Sequence, residues 1–232
     1  MRVLCTICAR KGSKGLPNKN IKEIHGKPLL AFSIQQALES NLFDKIVVST
    51  DSNEIGKIAK KYGAEYWFSR PTELSKDDSP KIPVIRHVLE ESEKKFSCKF
   101  DHIIDLDATS PLRNIEDIRK AYKVFLKQRF DNLITGTRSR KNPYFNMIEI
   151  KNGEVELSKK LKNTFVTRQQ APQVYDMNAS IYIWSRDFLL KENSLFAGRL
   201  GFYEMPEERS IDIDSQLDWE VVQMIMEKNS NG

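Results

Sequence analysis

Two hydrophobic periods alternate along the chain. RVLCTICA (2–9) is apolar almost throughout, as a parallel strand buried on both faces should be. LLAFSIQQALES (29–40) then switches to a helical period, with Pro28 in its first turn. The exchange recurs: a strand at KIVVST (45–50), a helix at NEIGKIAKKYG (53–63) closed by Gly63, and a short strand at EYWFS (65–69). A long amphipathic helix over 79–96 follows, with Pro83 near its start, then a strand at DHIIDLDA (101–108). Asn114, with Asp117 three residues on, opens a helix reaching 128, and DNLITGT (131–137) is a further strand. Repetition of this kind builds a doubly wound α/β domain.

The alternation stops after residue 138. Residues 140–165 read as a hairpin, YFNMIEI–KNG–EVEL, with Asn152-Gly153 at the turn. SIYIW (180–184) resumes the strand pattern, followed by a short helix at 186–191, a strand at FYEMP (202–206) and a helix at 215–228. The pattern predicts one domain over 1–232 with a small β-rich excursion at 139–178. A hairpin carrying Tyr144, Phe145, Met147 and Ile148 has little core of its own, so the excursion is expected to bury itself in a dimer.

Composition narrows the class. Hydrophobic residues at 40% and charged residues at 30% describe a globular chain. No apolar run approaches the ~18 residues that span a bilayer. The N-terminus carries no small-residue cleavage site, and a cytoplasmic protein with no membrane partner is expected. The net charge of +5 comes from basic residues mostly interleaved with acids, which argues against a nucleic-acid footprint. Cys5 and Cys8 form a C-x-x-C, but their odd spacing within a strand sends the two thiols to opposite faces, where a shared metal or disulfide is not expected.

The basic excess concentrates in ARKGSKGLPNKN (9–20), directly after the first strand. Gly12 and Gly15 let backbone N–H groups turn toward an anion, while Arg10 and Lys19 add charged donors. Lys11 and Lys14 contribute supporting charge. A solvated basic turn is the alternative; two glycines and four cations at a strand end favour phosphate. In SIDIDS (210–215), Asp212 and Asp214 stand two apart, so an extended backbone puts both carboxylates on one face with Ile211 and Ile213 on the other. Beside a polyphosphate loop that pair suits Mg²⁺, which commonly binds through one or two carboxylates plus substrate phosphates.

ARKGSKGLPNKN, TSPLR (109–113), RQQAP…NASIY (168–182) and SIDID (210–214) together resemble the acylneuraminate cytidylyltransferases, or CMP-sialic acid synthetases. The motifs run in family order across nearly the whole chain. The resemblance implies a three-layer α/β/α Rossmann-like nucleotidyltransferase domain and a homodimer formed through the inserted segment. It also implies a reaction in which CTP and an acidic nine-carbon 2-keto sugar give CMP-sugar and pyrophosphate. Arg10, Lys19 and Asn20 match positions that hold the CTP phosphates and ribose, and Arg70 and Ser79 match further nucleotide-binding positions. Arg168 and Tyr182 match sugar-pocket positions. Asp212 and Asp214 match the metal and catalytic acids, Asp214 being assigned to assist deprotonation of the sugar hydroxyl.

The departures fall near the sugar pocket. Where family members usually read LQPTSPLR, this chain has Asp107 and Ala108; where they read NG it has Asn178-Ala179; and Phe145 stands near the place of a common lysine. Asp107 is therefore expected to contact the sugar, and a bacterial diacetamido nonulosonate such as legionaminic acid is favoured over N-acetylneuraminate. A 3-deoxy-manno-octulosonate cytidylyltransferase and a non-catalytic nucleotide-binding domain remain the alternatives.

Overall fold

A computed structural model of the chain describes residues 1–12, 15–161 and 167–230, without the side chains of residues 168 and 230. The chain opens with β1 (Val3–Cys8), a loop ending in a 3₁₀ turn at Lys19–Ile21, and a ribbon of β2 (Glu23–Ile24) and β3 (Lys27–Pro28). The alternating part follows as α1 (Leu29–Ser40), β4 (Lys45–Ser49), α2 (Asn53–Lys61), α3 (Lys81–Phe96), β5 (His102–Leu106), α4 (Ile115–Gln128) and β6 (Asn132–Arg138). β7 (Ile148–Lys151) and β8 (Glu154–Leu157) then pair only with each other among the described residues. The chain returns in β9 (Tyr175–Ser185), α5 (Arg186–Lys191), β10 (Leu200–Glu204) and α6 (Gln216–Ser230).

The local signals explain several boundaries. Gly63 adopts φ 97 just past α2, a conformation open to glycine at little cost. Asn114 and Asp117 form a capping box, the Asp117 N–H donating to Asn114 Oδ1 at 2.9 Å and the Asn114 N–H to Asp117 Oδ2 at 3.1 Å. Pro83 is tolerated because it lies in the first turn of α3, whose N–H groups have no partner within the helix. Asn152 and Gly153, at φ 54 and 84, make the tight β7–β8 turn.

The six-stranded sheet has the order β10-β6-β9-β5-β1-β4. Only β9 runs against its neighbours; the other pairs are parallel. One face packs on α1, α2 and α4 through Leu30, Ile34, Ile55, Ile118 and Phe125. The opposite face packs on α3 and α5 through Ile85, Leu89, Phe188 and Leu189. Cys5 belongs to the first cluster and Cys8 packs against the second, so the thiols do face apart, and both are free. A third cluster joins Trp219 and Val222 of α6 to Leu16, Leu29 and Ile213. Strand order reverses at β1, with β4 on one side and β5 on the other, which opens a crevice beyond the carboxyl ends of the strands.

Several elements differ from expectation: the sequence pattern does not predict the β2–β3 ribbon, β7 starts only at Ile148, and β10 lies two residues earlier than FYEMP. EYWFS forms no strand: Glu65 makes a single bridge to Val47, and the chain then leaves the sheet. Trp67 and Phe68 pack edge-on against Phe96 and His87 instead, so their apolar character serves a cover over α3. β9 begins at Tyr175, before SIYIW, and pairs with the end of β6 across an irregular register near Gly136. The described part of the chain thus departs from the main sheet after Arg138 and rejoins it at Tyr175.

Candidate active site

The basic loop is tied down on both sides. The Ala9 N–H donates to Ser49 O at 3.0 Å, the Lys11 N–H to Asp51 Oδ1 at 2.8 Å, and Asn20 Nδ2 to Arg10 O at 2.9 Å. Asn20 Oδ1 is buried without a hydrogen-bond partner, leaving an acceptor for an incoming donor. Gly15 is required by a close approach: a Cβ there would lie 2.0 Å from the Asp214 carbonyl oxygen. Gly12 has open space around it. Lys14 lies outside the described residues.

Lys19 locks the loop to the acidic segment. Its side chain is nearly buried, and Nζ donates to Asp214 Oδ1 at 2.9 Å and to the Ile213 carbonyl. Ile213 is itself buried in the α6 cluster and its N–H donates to Thr109 O at 2.9 Å, which fixes the segment between Asp212 and Asp214. Ile211 also packs on that cluster, so the two isoleucines of SIDID share one side.

A cleft of about 450 Å³ opens at the switch point. It gathers seven of the sequence-predicted residues: Arg10, Lys19, Asn20, Arg70, Ser79, Asp107 and Asp214. Arg70 is buried at the base, donating through Nε to Ser49 Oγ at 3.0 Å and through NH2 to the Ser49 carbonyl. Arg10 pairs with Asp77 across the mouth. The Ser79 hydroxyl donates to Glu73 O at 3.1 Å and accepts from the Lys76 N–H at 3.0 Å, so it also shapes the turn it sits in. Asp212 and Tyr182 are absent from the cleft wall. The side chain of Arg168 lies outside the described residues.

Lys81 also lines the cleft, although the sequence pattern did not single it out. From the first residue of α3 its Nζ donates to Asp105 Oδ2 at 2.9 Å and to Asp107 Oδ2 at 3.2 Å, and lies 4.4 Å from the Tyr182 ring centre. Asp105 is fully buried and also accepts from Thr6 Oγ1 at 2.7 Å. Two strand-end acids on one face were the available signal that a cation must lie nearby. Arg113, in TSPLR, is a second residue missed: it is 2% exposed and donates to Ser180 O at 2.6 Å and Ser33 Oγ at 2.7 Å. Burial pulls its guanidinium down to about 10.

Burial, then the neighbouring charges of Asp214 and Asp107, push the Asp212 carboxyl up to about 6. Such crowding of negative charge is what a cation offsets. Among the described residues no cluster of three or more acid, His or Cys side chains forms a complete metal cage. Asp212 and Asp214 offer two carboxylates, so a hard ion held there would need phosphate oxygens to complete its shell.

Residues 4–229 match a family model described as cytidylyltransferase. The chain is 52% identical over 228 residues to post-translational flagellin modification protein B of Campylobacter coli, covering 98% of this chain and 96% of that one. It is 50% identical over 224 residues to CMP-N,N'-diacetyllegionaminic acid synthase of Campylobacter jejuni, covering 97% and 94%. Its fold is similar to the solved structure of a CMP:2-keto-3-deoxy-manno-octonic acid synthetase complexed with CTP. That match has TM-score 0.73 at 15% identity and covers 99% of this chain and 100% of that one.

Proposed function

The chain belongs to the cytidylyltransferase family, and we propose that it joins CTP to N,N'-diacetyllegionaminic acid or a closely related acidic nine-carbon sugar, releasing pyrophosphate. The observation that carries this reading is the single cleft in which the basic loop, Arg70 and Asp214 converge beside Asp107. Arg10 and Lys19 face the triphosphate as charged donors and stabilise charge developing on its oxygens as pyrophosphate departs. Arg70 and Ser79 border the nucleotide, and the unpartnered Asn20 Oδ1 accepts from a ribose hydroxyl. The anomeric hydroxyl of the sugar attacks the α-phosphorus in line, so the residues contribute chiefly by positioning and charge. Asp214, in the cleft wall, takes up the hydroxyl proton; Arg168 and Tyr182 are assigned to the sugar by the family resemblance alone.

Asp212 and Asp214 would hold a Mg²⁺ ion, which when bound supplies charge neutralisation at the phosphates. A homodimer is supported by the apolar side chains that the β7–β8 ribbon leaves in solvent, among them Ile148, Ile150 and Val155 at 62, 73 and 64% exposure. No helix among the described residues is long and apolar enough to cross a membrane. The three free cysteines suit a reducing cytoplasm, where CTP is available.

The reading is tested by offering CTP and Mg²⁺ with N,N'-diacetyllegionaminic, N-acetylneuraminic and 3-deoxy-manno-octulosonic acids and comparing kcat/KM for CMP-sugar formation. The diacetamido sugar should lead. Preference for the octulosonate would move the chain to that branch of the family.

A further inference from the structure

The ion pair at the floor of the cleft carries an inference that rests on the functional reading above and deepens it. An ionised carboxylate offers about four acceptor sites. Asp107 has three of them occupied: Oδ1 accepts from the Thr109 N–H at 3.1 Å and Thr109 Oγ1 at 3.0 Å, and Oδ2 accepts from Lys81 at 3.2 Å. One site remains, and the side chain keeps 21% exposure on the cleft side. Lys81 is held by two acids and a ring, with 26% of its side chain exposed. Two of its donors go to Asp105 and Asp107, and the Tyr182 ring lies against the ammonium. The ammonium thus bridges the two acids of β5 at the floor of the cleft.

We propose that Lys81 is a positioning residue that fixes Asp107 as a one-site acceptor for the sugar. The Lys81–Asp107 pair, and neither residue alone, then selects a sugar presenting an O–H or N–H donor at that point. Burial alone would raise the Asp107 carboxyl, but Lys81 and the Thr109 donors hold it below the ordinary range, so it stays ionised and cannot donate. Burial alone would lower the Lys81 ammonium, but Asp105 and Asp107 raise it well above its ordinary value. An acceptor with a single open site disfavours a sugar that offers an acceptor or a methyl there, because that one site would lose its water without gaining a donor.

The test is steady-state kinetics of Lys81→Met, Lys81→Arg, Asp107→Asn, Thr109→Val and the double variant Lys81→Met/Asp107→Asn. CTP, N,N'-diacetyllegionaminic acid and N-acetylneuraminic acid are varied in turn, with thermal melts alongside. Lys81→Met and Asp107→Asn should each raise the KM for the diacetamido sugar about tenfold or more while the KM for CTP changes less than about threefold. The double variant should be no worse than either single one, since the pair acts as a unit. Lys81→Arg should recover most of the loss. If Lys81→Met does not fold, Thr109→Val, which removes one donor at a partly buried position, should still raise the sugar KM about threefold with the CTP KM unmoved. A CTP KM that rises with the sugar KM makes Lys81 a phosphate ligand and overturns the proposal, as do additive losses in the double variant. An unchanged sugar KM in Asp107→Asn and Thr109→Val overturns it too. Absence of turnover by the wild-type chain with either sugar overturns the functional reading and this inference with it. Normal wild-type turnover with any of the contrary variant results overturns the inference alone.

Discussion

Lys19 illustrates how a side chain can be read from sequence in kind but not in partner. Its place after a strand, among glycines and other cations, marked it for phosphate; that it reaches Asp214 across 195 residues of chain is a tertiary fact. Lys19→Ala should lower kcat/KM for CTP by about one to two decades, the worth of one charge-assisted contact of roughly 1.5–3 kcal/mol. A change below about threefold would remove the loop from the phosphate site. Asp212→Asn and Asp214→Asn should each cost more, since metal charge stabilisation is worth several kcal/mol. Their melting temperatures should stay near that of the parent, and activity of the parent should vanish with a chelator and return with Mg²⁺. Turnover indifferent to the chelator would rule out the ion. Ala179 is a third case. Family members usually carry glycine there, and the structure supplies the reason: φ is 50°, in the left-handed region. Ala179→Gly should relieve a strain of roughly 1–2 kcal/mol, partly offset by the entropy of glycine, and raise the melting temperature by about 2 °C. A lower melting temperature would mean that the packing of the methyl group outweighs the strain. Lys81 and Arg113 escaped the sequence reading because their partners, Asp105 and Asp107 for the one and Ser33 and Ser180 for the other, lie far along the chain.

At the scale of elements, period and caps were enough wherever an element obeyed its own local chemistry. α4 begins at its capping box and α2 ends at its glycine. EYWFS failed because an apolar run of strand length can equally cover a helix, and only the position of α3 decides which. The start of β9 is a different case: residues 175–180 alternate apolar and polar, but Tyr175 and Met177 are exposed at the sheet's end, so that period marks no buried face. The junction between the basic loop and the acidic segment is the element-level feature with the sharpest consequence. A methyl at residue 15 would meet backbone, not a flexible side chain, so the two segments must separate. Gly15→Ala should therefore cut kcat by about 10²-fold through misplacement of Lys19 and Asp214, while the sheet and the melting temperature change little. Full activity in that variant would show that the two segments need not touch. Gly12→Ala, with open space around it, serves as the comparison and should retain turnover within a few fold.

For the molecule as a whole, the layered architecture follows from the alternation of periods, and the position of the cleft follows from the reversal of strand order at β1. The assembly is less legible in a single chain, since an exposed ribbon states that something must cover it without stating what. Sedimentation at micromolar concentration should give a mass twice that of the chain, and charged replacements at Ile148 and Ile150 should yield monomers. A monomeric parent would leave the ribbon in need of another occupant. The central claim is that one cleft holds CTP and an acidic diacetamido sugar together and exchanges pyrophosphate for the sugar. The most direct measurement is a ³¹P NMR time course of the chain with CTP, Mg²⁺ and N,N'-diacetyllegionaminic acid. The account predicts CMP-sugar and pyrophosphate appearing in equal amounts as CTP disappears, with neither formed when the sugar is left out. Pyrophosphate released without the sugar, or CTP left unchanged in its presence, would contradict it.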